Sequence, residues 1–226
     1  MAVTVAYIHT SHVLIPIFSE ISRRELPGVE QFHIVDESLI KNTIRDRRLT
    51  PTTTRRVIGL VQLAREGGAD AVVVTCSSIG PAAAVASRLF EFPVVRVDDG
   101  MAEEAVRAGH RIGVAATLRT TLEPTLALLK EKAEAAHREV ELVESLCEGA
   151  FEAIVDGDRA THDRMLSESL RKLMAEVDVV VLAQASMAGV VNAMPDKPAT
   201  PPILTSPERA VRRARQLLFP TSADAK

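Results

Sequence analysis

Cys76 is the residue of this sequence best placed for proton transfer or covalent chemistry. It follows an apolar run typical of a buried strand, Ala69 to Thr75, and precedes a helix that Pro81 can begin. A cysteine at such a turn lies beside free backbone N–H groups and the positive end of the helix dipole, which stabilise a thiolate. The same N–H groups, with the hydroxyls of Ser77 and Ser78, can hold a substrate carboxylate.

A second segment repeats this pattern in the other half of the chain. The run Asp70–Ser78 aligns with the run Asp178–Ser186 at an offset of 108 residues, and Gln184 then takes the place of Cys76. Both runs share the first Asp, two Val and the final Ser. We interpret the alignment as an internal duplication.

The residues after the first strand of each half are the next candidates. Thr10 and Thr117 match at an offset of 107 residues, and each hydroxyl is predicted to hydrogen-bond a carboxylate oxygen. His9 and Ser11, on either side of Thr10, are predicted to contact the ligand as well. An imidazole at this position could carry a second proton.

The elements that position these residues are short apolar runs alternating with segments of helical period. This rhythm predicts an α/β fold of parallel sheets covered by helices, with ligand sites at the carboxyl ends of the strands. The predicted strands are 3–9, 30–36, 69–75, 93–97, 111–116, 138–145, 178–183 and 202–205. The predicted helices are 51–66, 81–90, 122–136, 160–176 and 207–218, the last with Ser206 as N-cap.

The repeat also predicts the division of the chain. We expect two pseudo-symmetric, Rossmann-like lobes, residues 1–98 with Cys76 and residues 99–205 with Gln184, and an active site in the cleft between them. Residues 206–226 are predicted to form a C-terminal helix that packs back on the first lobe.

Composition excludes several classes of partner. The 226 residues contain 27 Lys and Arg against 30 Asp and Glu, so no basic surface for nucleic acid or for an anionic membrane is expected. Two cysteines and the absence of a leader-like start favour a cytoplasmic protein. No ligand spacing for a metal, no dinucleotide-binding motif and no phosphate-binding loop occurs, so neither metal nor cofactor is expected. A homodimer or a higher homo-oligomer is predicted on general grounds.

Four stretches in this order resemble a known family: 74–78 (VTCSS), 113–120 (GVAATLRT), 149–158 (GAFEAIVDGD) and 178–187 (DVVVLAQASM). Together they cover nearly the whole chain and resemble the aspartate/glutamate racemase superfamily, which includes hydantoin racemases, maleate isomerases and arylmalonate decarboxylases. The resemblance implies cofactor-independent chemistry on a small carboxylic acid held between two lobes.

The resemblance also implies roles for particular residues. In the racemases one cysteine from each lobe faces the substrate carbon; Cys76 matches the first cysteine, and Gln184 stands where the second is expected. Thr117 and Thr120 match carboxylate-binding threonines of the family. Ala185 and Ser186, which follow Gln184 in the same motif, are included among the predicted substrate-binding residues.

Gln184 decides which reaction can be expected. Its amide is neither an acid nor a base at neutral pH, so symmetric two-thiol racemisation is not expected. His9, His12 and Cys147 are the candidates for a substitute proton carrier. The leading prediction is cysteine-mediated proton transfer at a carbon next to a carboxylate, as in a racemase or isomerase.

Three alternatives stay open. One is a decarboxylase or another C–C lyase in which Cys76 is the sole proton donor. Another is a carboxylate-binding protein without turnover. The third is a cysteine hydrolase with Cys76 as nucleophile and His9 or His12 as base.

Overall fold

Two four-stranded parallel sheets form the framework of the protein. The computed structural model describes residues 2–193 and 201–220, and the chain divides into two compact units. Unit 1 contains the residues up to Gly100 together with those from Pro207 onward, and unit 2 is Met101–Ser206. The sequence-based prediction of an α/β fold with parallel sheets is confirmed.

The elements of the first half begin with a strand, and each strand is followed by one or two helices. They are β1 (Thr4–His9), α1 (Ile15–Glu25), β2 (Glu30–Val35), α2 (Glu37–Arg45), α3 (Pro51–Glu66), β3 (Ala71–Val74), α4 (Gly80–Leu89), β4 (Val94–Arg96) and α5 (Asp99–Ala108). Those of the second half are β5 (Arg111–Ala116), α6 (Arg119–Ala135), β6 (Glu141–Leu146), α7 (Ala150–Val155), α8 (Arg159–Met174), β7 (Val179–Leu182), α9 (Ala188–Ala193), β8 (Ile203–Leu204) and α10 (Ser206–Leu218).

The two sheets have the same topology. The strand order is β2-β1-β3-β4 in unit 1 and β6-β5-β7-β8 in unit 2. Val5 pairs with Ala71 in the first sheet, and Ile112 pairs with Val179 in the second. These pairs differ by 107 and 108 residues, the offsets of the sequence alignment. The strand registers therefore confirm the internal repeat at the level of backbone pairing.

The sheet of unit 1 packs different side chains on its two faces. Because side chains alternate along a strand, Ala6 and Ile8 of β1 join the apolar cluster formed with Val57 and Val61 of α3. Tyr7 and His9 point to the opposite face, and both rings contact Phe18 of α1. This second face carries the polar groups described below.

The aspartate that begins each repeated run has a structural role. The Asp70 carboxylate accepts the backbone N–H of Thr4 at 3.0 Å. The Asp178 carboxylate accepts the N–H groups of His110 and Arg111 at 2.9 and 2.8 Å. In both units the aspartate that the two runs share thus holds the backbone at the start of a neighbouring strand, β1 in unit 1 and β5 in unit 2.

Several boundaries differ from the sequence-based expectation. The helix over 51–66 and the strand over 111–116 are confirmed, whereas α1, α2 and α5 were not predicted. The predicted start of the helix over 122–136 is wrong, because α6 begins at Arg119, three residues earlier. The predicted N-cap of the last helix, Ser206, is its first residue instead.

The last helix belongs to unit 1. Its residue Arg212 contacts Glu25 of α1, with the Arg212 Nε and a Glu25 carboxylate oxygen 3.2 Å apart. The remainder of the predicted C-terminal segment, residues 221–226, lies outside the described residues. Within the described ranges no helix has the length and apolarity needed to cross a bilayer.

The Asp178 contacts predict a pH-dependent contribution to stability. Hydrogen bonds from the backbone N–H groups of Arg111 and His110 lower the pKa of Asp178 below its ordinary value of 3.8. A lowered folded-state pKa contributes stability that is complete above the unfolded-state pKa and is lost as pH falls through the folded-state pKa. We expect Asp178→Asn to lower the urea midpoint most at pH 5 to 7, with the difference from wild type shrinking below pH 3.8.

Glu123→Gln on the exposed side of α6 is the control variant, since its side chain is 61 % exposed. An equal loss of stability for Asp178→Asn at pH 3 and pH 7 would contradict the proposed role of the charge.

Candidate active site

Cys76 lies at the turn that the sequence predicts. It follows β3 in an extended conformation, with φ −128° and ψ 120°, and begins a 3-10 turn over Ser77–Ile79. The Ile79 N–H donates to the Cys76 carbonyl at 3.2 Å, and α4 starts at the next residue. Ser77 and Ser78 are buried, whereas Cys76 is partly exposed. Among the described residues no group hydrogen-bonds to the Cys76 side chain.

Gln184 occupies the same backbone conformation in unit 2. Its φ of −120° and ψ of 132° match those of Cys76, and a 3-10 turn over Ala185–Met187 follows. The Met187 N–H donates to the Gln184 carbonyl at 3.1 Å. Ala185 is half-buried and Ser186 is exposed. The repeat therefore keeps the turn and replaces a thiol by a carboxamide.

The carboxamide of Gln184 is held in one orientation by Thr117. Its Oε1 accepts the Thr117 backbone N–H at 2.7 Å and the Thr117 hydroxyl at 3.0 Å. A backbone N–H can only donate, so the oxygen of the amide must face Thr117 and the NH₂ group must point away. Within the described ranges no acceptor takes the Nε2 hydrogens. Gln184 therefore presents two hydrogen-bond donors.

This contact changes the role predicted for Thr117. Both of its donors are directed to Gln184, so in this geometry Thr117 orients the amide instead of offering its own hydrogens to a carboxylate. Thr10, its counterpart after β1, is also buried, at 5 % exposure.

Thr120 offers an unused hydroxyl in unit 2. It lies in the first turn of α6, and its Oγ1 is buried without a hydrogen-bond partner among the described residues. The helix has no side-chain cap, because its N-cap is Leu118. The N–H groups of Thr121 and Leu122 donate to the Leu118 carbonyl, each at 3.0 Å, so neither is available to a ligand. The Thr120 hydroxyl, which has no such partner among the described residues, can donate to a carboxylate oxygen.

His9 is the centre of a buried hydrogen-bond chain. Its Nδ1 lies 2.8 Å from Thr75 Oγ1, and its Nε2 lies 2.9 Å from His33 Nδ1. His33 Nε2 lies 2.9 Å from Ser19 Oγ, and the Thr75 hydroxyl donates to the Ile8 carbonyl at 3.0 Å. Because the Thr75 hydroxyl donates to Ile8, His9 Nδ1–H must donate to Thr75 Oγ1. His9 Nε2 then accepts from His33 Nδ1–H, and His33 Nε2 accepts from the Ser19 hydroxyl. Every link is satisfied with both imidazoles neutral.

The hydrogen bonds of His9 suit a residue that positions its neighbours. The residue is completely buried and both ring nitrogens are engaged by protein groups, so neither is free for a substrate. Its partner Thr75 directly precedes Cys76 in the chain. His9 therefore contacts the residue that leads into the Cys76 turn.

The other predicted proton carriers are an exposed histidine and a buried cysteine. His12 is 73 % exposed, and its Nδ1 lies 3.1 Å from Glu37 Oε1. Ser11 is the N-cap of the short 3-10 turn that contains His12. Cys147 is buried in an apolar cluster of unit 2, and burial together with the charge of Glu168 raises the pKa of its thiol. A thiol with a raised pKa is a poor source of thiolate.

Sequence reasoning missed His33 and a buried ion pair. Register gives a signal for His33: Tyr7 pairs with His33, and His9 lies on the same face of the neighbouring strand. Arg96 and Asp98, which form the ion pair, stand at the end of β4 and two residues further. Charged residues beside a Val-rich strand are the signal that could have identified them. No cluster of His, Cys, Asp or Glu suited to a metal ion occurs in the described part of the chain.

Comparisons place the chain among racemases. The family model for Asp/Glu/Hydantoin racemase matches residues 9–214. The allantoin racemase from Klebsiella pneumoniae is 16% identical, with a TM-score of 0.72 over 96% of this chain and 88% of that one. The aspartate racemase of Picrophilus torridus is 12% identical, with a TM-score of 0.72 over 95% and 94%.

A third solved structure is the glutamate racemase from Francisella tularensis in complex with D-glutamate. It is 12% identical and has a TM-score of 0.73 over 96% of this chain and 81% of that one. The search of curated proteins gave no match. At these sequence identities the solved structures establish a shared fold, whereas the family model establishes the relationship of this chain to the family.

The buried imidazole of His9 predicts a loss of stability in mild acid. Burial, and secondarily the charge of His33, lowers the pKa of His9 from 6.5 to about 4. The unfolded chain therefore takes up this proton first as pH falls, and stability that is complete above pH 6.5 is lost progressively down to about pH 4. A shift of this size corresponds to roughly 3 kcal/mol.

Urea unfolding between pH 7.5 and pH 5 measures this effect. We expect the free energy of unfolding of wild type to fall over this range and that of His9→Asn to fall less steeply. His137→Asn is the control, because His137 is exposed and its φ of 51° suits asparagine. A wild-type slope retained in His9→Asn would show that another group causes the pH dependence.

Proposed function

The chain belongs to the Asp/Glu/Hydantoin racemase family, and we propose that it is a cofactor-independent enzyme in which Cys76 transfers a proton at a carbon next to a carboxylate. Membership of the family makes it a racemase-like enzyme of the isomerase class. The observation that carries the proposal is the pair of matching turns, one with a partly exposed thiol and the other with a carboxamide anchored by Thr117.

The proton transfer balances without a further reagent. The Cys76 thiolate removes the proton from the α-carbon, so the C–H bond breaks, an S–H bond forms, and the electron pair moves into the carboxylate to give an enediolate. Return of the proton to carbon restores the thiolate. In both directions the charge that must be stabilised lies on carboxylate oxygens.

The donors for those oxygens come from several turns. Gln184 presents two N–H groups because Thr117 holds its oxygen. Thr120 presents a buried hydroxyl that lacks a partner among the described residues. Ser77 and Ser78, which directly follow Cys76, are buried and carry hydroxyl groups. Fixed donors of this kind stabilise developing negative charge because they need not reorganise during the reaction.

A second candidate reaction is decarboxylation, and the anchored amide favours it. A racemase needs a second acid or base for the opposite face of the carbon, and the position that matches Cys76 holds a group that can do neither. In a decarboxylation the bond to one carboxylate breaks, CO₂ leaves, and the electron pair forms an enediolate. The Cys76 thiol then donates its proton to the carbon, and water restores the thiol.

The proposed ligands are small carboxylic acids. A homodimer or a higher homo-oligomer, a cytoplasmic location and a cleft shared by the two lobes stay predictions. Sedimentation velocity of the purified chain measures the oligomeric state directly.

The first test follows label from deuterated water with Cys76→Ala. Wild type is incubated with aspartate, glutamate and a disubstituted malonate. We expect deuterium at the α-carbon of recovered substrate, or in a smaller product together with released CO₂. Loss of the thiol should reduce either signal by at least 10³-fold, because the proton carrier is removed.

Cys147→Ala is the matched control, since it removes the other cysteine from an apolar cluster. Label in recovered substrate supports proton exchange, and label only in the product supports decarboxylation. Turnover that survives in Cys76→Ala would overturn the proposal. A protein that binds one of the acids without turnover would instead be a carboxylate-binding protein.

The second test exchanges the carboxamide. Gln184→Leu removes both N–H donors, and the rate constant kcat should fall by about 10²-fold, as for loss of an oxyanion-stabilising donor. Gln184→Cys places a second acid or base there, and we expect inversion of configuration at the α-carbon, measured by chiral chromatography. Thr117→Val leaves the amide but removes the hydroxyl that helps to orient it, so its effect should lie between wild type and Gln184→Leu.

If Gln184→Leu retains full activity, the amide takes no part in the reaction. If wild type already inverts configuration as fast as it exchanges the proton, another acid on this chain supplies the opposite face.

A further inference from the structure

A buried ion pair lies next to the helix that follows Cys76. Arg96, at the end of β4, is 6 % exposed, and Asp98 is completely buried. The Nε and Nη2 atoms of the guanidinium donate to the two carboxylate oxygens of Asp98 at 2.7 and 3.1 Å. Such two-pronged contact fixes the plane of the guanidinium as well as its position.

The guanidinium packs against the backbone of Gly80, the first residue of α4. A Cβ atom at Gly80 would lie 2.4 Å from Arg96 Nε and 2.8 Å from Arg96 Cζ, which real contacts do not allow. The φ of Gly80 is −53°, a value open to every residue. Glycine is therefore required here by the close approach of Arg96 and not by the backbone conformation.

The contact lies directly beside the turn that carries the thiol. Gly80 directly follows the 3-10 turn over Ser77–Ile79, and the Ile79 N–H is bonded to the Cys76 carbonyl. Three residues thus separate Cys76 from the point at which Arg96 supports the backbone. A displacement of the start of α4 must be taken up within this short turn.

Unit 2 has no equivalent of the pair. The register of β8 places Leu204 at the position of Val95, so the next residue, Thr205, matches Arg96. The residue that matches Gly80 is Ala188. A threonine and an alanine cannot form this contact, so the matching positions of unit 2 lack it.

We propose that Arg96, fixed by Asp98, is a positioning residue that holds the Cys76 turn in its reactive geometry through the backbone of Gly80. The proposal rests on Cys76 as the reactive group of the proposed function. Its test measures the thiol itself and needs no substrate, so it can succeed or fail independently of the reaction that the enzyme catalyses.

The experiment is alkylation of the native protein by iodoacetamide at pH 7.5, followed at both cysteines by mass spectrometry. Gly80→Ala adds a methyl group where the guanidinium lies, and we expect the alkylation rate of Cys76 to fall at least threefold. Arg96→Lys keeps the charge but loses the planar group, and an intermediate rate is expected. The double variant Arg96→Met with Asp98→Leu removes the pair without leaving a buried charge, and should match Gly80→Ala.

Gly59→Ala is the matched control, because a Cβ atom at that helical glycine meets nothing within 4 Å. It should leave the Cys76 rate unchanged. Circular dichroism and the slow alkylation of buried Cys147 report unfolding. An unchanged Cys76 rate in both Gly80→Ala and the double variant would overturn the proposal. Faster alkylation of both cysteines together would also overturn it, because the pair would then support only the fold.

With a substrate in hand, the same variants separate positioning from binding. A displaced thiol should lower kcat by more than it raises KM, because the carboxylate donors of the other turns are retained. An increase in KM with kcat unchanged would contradict the positioning role.

Discussion

The hydrogen bond from the Thr117 backbone to Gln184 constrains the chemistry of the whole second unit. An amide side chain can rotate to present either its oxygen or its nitrogen, but a backbone N–H accepts only the oxygen. At 2.7 Å this contact fixes the choice, and the Thr117 hydroxyl adds a second bond to the same oxygen. Residue 184 thereby offers two hydrogen-bond donors, and its side chain has no titratable group. An amide held in this way can donate hydrogen bonds but cannot transfer a proton.

The two units show how one backbone can carry different chemistry. Cys76 and Gln184 have nearly the same backbone angles and the same 3-10 turn after them. Around Cys76, His9 and Thr75 form a buried polar chain, whereas the matching positions of unit 2 hold Ala116 and Ala183. Buried polar groups are costly unless their hydrogen bonds are satisfied, and in unit 1 every link of the chain is satisfied. The polar supports are thus concentrated in the unit that holds a partly exposed thiol.

The sequence predicts those features that depend on local pattern. Val-rich runs predicted the strands, the segment of helical period from Pro51 predicted α3, and the repeat predicted the turns of Cys76 and Gln184. The early start of α6 was missed because Leu118 is an unusual N-cap without a side-chain hydrogen bond. The partners of Gln184 and His9 could not be predicted, because Gln184 and Thr117 are 67 residues apart, and His9 and Thr75 are 66. Such contacts depend on side-chain geometry, which periodicity does not encode.

Fold and family membership do not determine the exact reaction, which depends on the residues at a few positions. The solved racemases share the fold at 12% to 16% identity, so the architecture tolerates replacement of most side chains. Turnover, however, depends on which groups at the strand ends can hold a proton. In the proposed reaction a single thiol reaches one face of a planar enediolate, whereas a carboxamide can only donate hydrogen bonds to its oxygens. Proton transfer by one such group proceeds with a defined stereochemistry, because exchange by a single group returns the proton to the face from which it came.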